Sequence, residues 1–156
     1  MSSDAVRLLA ALARHGWTVA VAESLTGGLV TATLVDVPGA SRTVRGGVVS
    51  YATDLKATLL GVDPALLAAR GAVDPDVARA MAQGVRARLG ADVGLATTGV
   101  AGPDPQDGHG PGTVHVAVVT PQDVRVISSV LPGDRAAVRA GARDEVLAAA
   151  IALLGG

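Results

Sequence analysis

Three side chains in this 156-residue chain invite a chemical reading: Ser24, the single tyrosine Tyr51 and the single lysine Lys56. Of the 13 basic residues all but Lys56 are arginine. Arginine stays protonated, whereas a desolvated lysine can shed its proton and act as a base. Ser24 lies in Val21-Ala22-Glu23-Ser24-Leu25-Thr26-Gly27-Gly28, where an apolar run gives way to a helical one. A strand ending in small polar residues at a helix start gathers backbone N–H groups and a hydroxyl at one point. There Thr26 is a suitable N-cap, and Gly27 and Gly28 let a ligand approach the backbone because no Cβ intervenes. A neutral amine beside a serine hydroxyl makes a nucleophile, and glycine N–H groups can hold an oxyanion. The same residues also suit a structural reading, in which Ser24 and Thr26 cap a helix, Lys56 is solvated and Tyr51 plugs a sheet end.

Other groupings carry less. Asp104, Asp107 and His109 share a loop, but their spacing matches no metal-binding loop, and hard cations need several oxygens. Arg135 and Arg139, one helical turn apart, suit a phosphate clamp or a charged surface equally. His115 falls inside a strand and reads as packed; His15 reads as a helix-end residue. The phosphate-loop, dinucleotide-fold and nucleophile-elbow glycine patterns are all missing.

These residues need elements to position them. A helix with Ala5, Leu8, Leu9 and Leu12 on one face should stop at His15-Gly16. Residues 17–22 read as a strand covered on both faces, 29–37 as a helix stopped by Pro38-Gly39, and 46–51 as a second strand. Thr53 or Asp54 should cap a helix running to Gly61, with Lys56 in its first turn, where the positive dipole end disfavours an ammonium. A short helix covers 64–70. Asp74 caps the next, with Pro75 at its first position and Val77, Met81, Val85 and Leu89 as its buried stripe. Residues 92–98 form a third strand ending on Thr97-Thr98-Gly99, and 113–120 and 124–131 form a hairpin. Gly133-Asp134-Arg135 opens a C-terminal helix. Strands alternating with helices predict an α/β protein, a three-layer α/β/α sandwich around a mixed, mostly parallel sheet of about five strands. Ligands bind such sheets beyond the carboxyl ends of the parallel strands, which here are Ser24, Tyr51 and Thr98 with Gly99.

Composition narrows the function classes. Cysteine is absent, which removes thiolate and disulfide chemistry, and Trp17 and Tyr51 are the only aromatic side chains besides histidine. With so few stacking faces and a formal net charge of -1, nucleic-acid binding is not expected. No segment has the ~18 unbroken apolar residues of a membrane span, and the first residues lack the pattern of a signal peptide. The expectation is a single cytoplasmic domain that acts on a small molecule and, being rich in alanine, self-associates.

Taken together, Ala22-Glu23-Ser24-Leu25-Thr26-Gly27-Gly28, Gly46-Gly47-Val48-Val49-Ser50-Tyr51 followed by Lys56 and Leu60-Gly61-Val62, then Thr98-Gly99-Val100-Ala101-Gly102-Pro103, Gly112-Thr113-Val114 and Gly133-Asp134-Arg135 closely resemble the C-terminal domain of the competence/damage-inducible protein CinA. The resemblance covers essentially the whole chain. That family includes stand-alone nicotinamide mononucleotide deamidases, and the resemblance implies hydrolysis of the nucleotide's carboxamide to nicotinate mononucleotide and ammonia, in pyridine nucleotide salvage, with no cofactor or metal. It implies Ser24 as nucleophile and Lys56 as its base, with Tyr51 nearby. Glu23, Thr26, Gly27, Gly28, Thr98, Gly99, Ala101, Gly102, Arg135 and Arg139 would bind the substrate. The departures are Leu25, where the family often has a small residue or cysteine, Asp74, where serine is common, and residues 104–111, which lack a lysine before the proline. The alternative is a non-catalytic nucleotide-binding or interaction module of the same fold.

Overall fold

In the computed structural model, which describes residues 1–155, the elements follow one another as α1 (Ser3–His15), β1 (Val19–Glu23), α2 (Leu29–Val35), a 3-10 turn (Ala40–Arg42), β2 (Val44–Val49), α3 (Thr53–Leu60), α4 (Pro64–Arg70), α5 (Pro75–Arg88), β3 (Val93–Gly99), β4 (Thr113–Val119), β5 (Val124–Val130) and α6 (Arg135–Leu154). The strands make one sheet in the order β2-β1-β3-β4-β5. β2, β1 and β3 run parallel, while β4 and β5 add an antiparallel hairpin. Helices cover both faces, giving the three-layer mixed α/β architecture expected from the alternation of elements.

The period-2 alternation of side chains in the strands sorts the core into two clusters. Val19 and Val21 of β1, Leu95 of β3 and Val116 of β4 face α1, α2 and α6. The opposite face carries small residues, Ala20, Ala22, Ala96 and Ala117, against Leu60 of α3, Leu67 of α4 and Met81 of α5. Burying both faces explains why β1 is apolar without interruption until Glu23.

Element ends differ from the sequence expectation for local reasons. β1 begins at Val19 rather than at residue 17, because the Trp17 amide closes α1 by bonding the Leu12 carbonyl and the Thr18 amide is held by the Asp92 carboxylate at 2.8 Å. Trp17 instead stacks on His15, with ring centroids 4.4 Å apart. β2 runs from Val44 to Val49 rather than over 46–51: its pairing with β1 ends at Glu23↔Val49, and the Ser50 amide makes the last bond to the Glu23 carbonyl. Ser50 and Tyr51 thereby leave the sheet. α3 starts after Ala52 with no side-chain cap, so neither Thr53 nor Asp54 caps it. α2 stops at Val35, short of Val37. Asp74 caps α5 as expected, its carboxylate accepting the amides of Asp76 and Val77.

Candidate active site

The carboxyl ends of β1, β2 and β3 meet along one crest of the sheet, and there the chain turns polar. Ser24 follows β1 directly, and its amide still bonds the Thr97 carbonyl of β3, which fixes its backbone as an extension of the sheet. Lys56 stands in the first turn of α3, and its side chain points back under the crest, fully buried. Its Nζ lies 3.0 Å from Ser24 Oγ, 2.7 Å from the Ser50 carbonyl and 3.3 Å from the Tyr51 carbonyl. The departure of Ser50 and Tyr51 from β2 is what aims those carbonyls at the amine. A neutral amine has two N–H groups and one lone pair. As an ammonium Lys56 donates to all three oxygens; once neutral it can donate to the two carbonyls and turn its lone pair to the Ser24 hydroxyl proton.

Burial lowers the Lys56 pKa from 10.5 to about 8, and the carboxylate of Asp107 is the charge that opposes the shift. The leading cause is desolvation, which disfavours the charged form. Among the described residues no carboxylate is hydrogen-bonded to the amine; its direct partners are neutral oxygens.

The loop from Ser24 to Gly28 is held from below. Glu23 is fully buried, and its carboxylate accepts the Val30 amide at 2.9 Å, the Thr31 amide at 2.9 Å and the Thr31 hydroxyl at 2.7 Å. The free N–H groups of the first turn of α2, the natural place for a bound anion, are therefore occupied by the chain's own carboxylate. Glu23 does not face ligand space. Thr26 is not an N-cap: Gly28 is, and the Thr26 hydroxyl shares a 2.7 Å hydrogen bond with that of Thr97. Gly27 and Gly28 have φ of 57° and 103°, so the tight path of the loop is what requires glycine there. Arg139 donates to the carbonyls of Leu25 and Thr26 at 2.9 and 3.1 Å and so braces the outer side of the loop. Among the described residues the amides of Leu25, Thr26 and Gly28 have no acceptor.

Above Ser24 opens a cleft of about 590 Å³. Ser24 and Leu25 form its head, and Tyr51, Thr98, Gly99, Ala101, Gly102 and Arg135 contribute to its walls. Glu23, Thr26, Gly27, Gly28 and Arg139 do not line it. Arg135 bridges two walls, donating to the Gly102 carbonyl at 2.7 Å and to the Tyr51 hydroxyl at 3.0 Å. The expected Arg135–Arg139 clamp is thus divided, one arginine at the cleft and the other behind the loop. Thr98 Oγ1 donates to the Ala72 carbonyl at 2.7 Å. His115 is buried, with Nδ1 2.7 Å from Ser128 Oγ; burial is the main cause of its lowered pKa. Asp104, Asp107 and His109 do not converge, and among the described residues no group of three could hold a metal ion.

Sequence reasoning missed the wall made by Ala72 and Val73 and the part played by Asp107, whose carboxylate accepts the Ala72 amide at 3.1 Å. The available signal is Gly71, which ends α4 and leaves room beside it for the Asp107 carboxylate.

Comparison with known proteins extends these observations. Residues 2–154 match the family model described as the CinA C-terminal domain. A CinA-like protein of Frankia casuarinae is 56% identical over 132 residues, 85% of this chain and 30% of that protein. A CinA-like protein of Gemmatimonas aurantiaca is 48% identical over 86% of this chain and 32% of its own length. The chain therefore spans about a third of the length of these relatives. Among solved structures, a competence-damaged protein (CinA) superfamily protein from Klebsiella pneumoniae superposes with a TM-score of 0.93 at 31% identity, covering 97% of this chain and 96% of that one. The competence/damage inducible protein CihA from Agrobacterium tumefaciens gives 0.92 at 32% identity, covering 98% and 94%.

Proposed function

The chain belongs to the CinA C-terminal domain family, and from that premise and the geometry of its crest we propose that it is a serine amidohydrolase that converts nicotinamide mononucleotide and water to nicotinate mononucleotide and ammonia. The observation that carries this reading is the buried Lys56 amine 3.0 Å from Ser24 Oγ at the head of an open cleft. The neutral amine takes the hydroxyl proton as Ser24 Oγ attacks the carboxamide carbon. The carbonyl oxygen becomes an oxyanion, for which the amide of Leu25, the residue after the nucleophile and without an acceptor among the described residues, is the candidate donor. The Lys56 ammonium then returns its proton to the departing nitrogen as the C–N bond breaks, leaving ammonia and an ester on Ser24. Water, deprotonated by the same amine, adds to the ester; the bond from Ser24 Oγ to the acyl carbon breaks, Oγ takes the proton back from the Lys56 ammonium, and the acid leaves as its carboxylate with its proton lost to solvent. The cationic ring withdraws electrons from the carbonyl and lowers the demand on the base. Arg135, the one arginine lining the cleft, is the group suited to the phosphate.

A coupled assay for ammonia release from nicotinamide mononucleotide tests the reading. Ser24→Ala and Lys56→Arg should each lower kcat by roughly a thousandfold or more with the fold intact, and a chelator should change nothing. A Lys56→Arg protein with normal turnover removes the base assignment. Saturable nucleotide binding without turnover in the native chain would instead identify a binding module.

A further inference from the structure

Asp107 has no role in the proposed bond-making steps, yet its surroundings are constructed around it. Its φ is 50°, the only positive value among the described non-glycine residues. It sits in a tight turn closed by paired backbone hydrogen bonds between Gln106 and His109, at 3.0 and 2.8 Å. The carboxylate leaves this turn and accepts the Ala72 amide at 3.1 Å in the linker between α4 and α5. Gly71, with φ of 75°, makes room for it: a Cβ there would come within 3.0 Å of the carboxylate. The Ala72 carbonyl is held from the other side by Thr98 Oγ1 at 2.7 Å. One peptide segment is thus gripped at its N–H by the loop and at its C=O by β3. Ala72 and Val73 line the cleft on one side of this grip, and residues from Val100 to Gln106 line it on the other.

We propose that Asp107 is a positioning residue whose carboxylate latches the 103–112 loop to the Ala72 wall and so keeps the cleft closed around its ligand along that side. The idea rests on the amidohydrolase reading for what the ligand is, but the latch itself is a feature of the fold. A hydrogen bond to an ionised carboxylate is stronger than a neutral one, which suits a contact that must hold an exposed loop in place. The electrostatic influence of Asp107 on Lys56 agrees with a loop seated close over the site.

The test compares D107A, which removes the acceptor, with D107N, which keeps an acceptor oxygen and tolerates the positive φ. Steady-state ammonia release from nicotinamide mononucleotide is measured beside hydrogen exchange at the Ala72 amide. With turnover measured at pH 9, where Lys56 is predominantly neutral whether or not the Asp107 charge is present, D107A should raise KM roughly tenfold, leave kcat within about twofold and speed Ala72 exchange. D107N should restore both KM and protection most of the way. A D107A protein with unchanged KM, or with unchanged Ala72 exchange, overturns the latch, as does a D107N protein no better than D107A. Absence of ammonia release from the unaltered chain rejects the activity instead; Ala72 exchange and the dissociation constant of nicotinamide mononucleotide in the three proteins then decide the latch without turnover.

Discussion

At the scale of single residues the account depends on one amine. With a pKa of about 8 for Lys56, about a tenth of the molecules hold it neutral at pH 7. If Lys56 is the base, kcat/KM should climb close to tenfold per pH unit below that value and level off above it. A profile flat from pH 6 to 9 contradicts the assignment. Lys56 is legible in the sequence as the chain's single lysine, at a helix start just after an expected strand, and Ser24 as the residue that ends the first strand. The resemblance implies a substrate contact for Glu23, but its partners Val30 and Thr31 lie on the next helix, and only the fold of the intervening loop reveals that the carboxylate turns inward.

At the scale of elements, the nucleophile loop is a short span fixed at both ends. β3 holds Ser24 through the Thr97 carbonyl, and the Glu23 side chain ties the end of β1 to the first turn of α2. Glu23→Ala would leave two helix amides and the Thr31 hydroxyl without their buried acceptor. We expect a loss of about 2–4 kcal/mol in stability, measured as a lower urea midpoint with an unchanged slope, and a variant as stable as the native chain would show that the tie is dispensable. Most elements could be read from period and punctuation, since Gly16, Asp74-Pro75 and Gly61 mark their helix ends by local chemistry. The ends of β1 and β2 could not, because pairing between distant strands sets them. Asp107 was hidden for the same reason: its partner Ala72 is 35 residues away.

At the scale of the whole molecule, the same amine couples the site to global stability. The folded pKa of Lys56 lies below the unfolded value of 10.5, so the unfolded chain binds more protons between about pH 8 and 10.5 and stability should rise with pH across that window. The shift corresponds to roughly 3 kcal/mol, a sizeable part of the 5–15 kcal/mol typical of a domain. Lys56→Met should therefore be more stable than the native chain at pH 7, with the advantage fading above pH 10; denaturant titrations at both pH values check this. Among the described residues no helix is long and apolar enough to cross a membrane. The chain's single lysine also makes the central claim directly observable. Protein labelled with carbon-13 at the lysine ε position gives one side-chain signal, whose pH titration reports Lys56 alone. The account predicts an inflection near pH 8 that coincides with the rise in kcat/KM. An inflection near 10.5, or one that bears no relation to the rate profile, would contradict it.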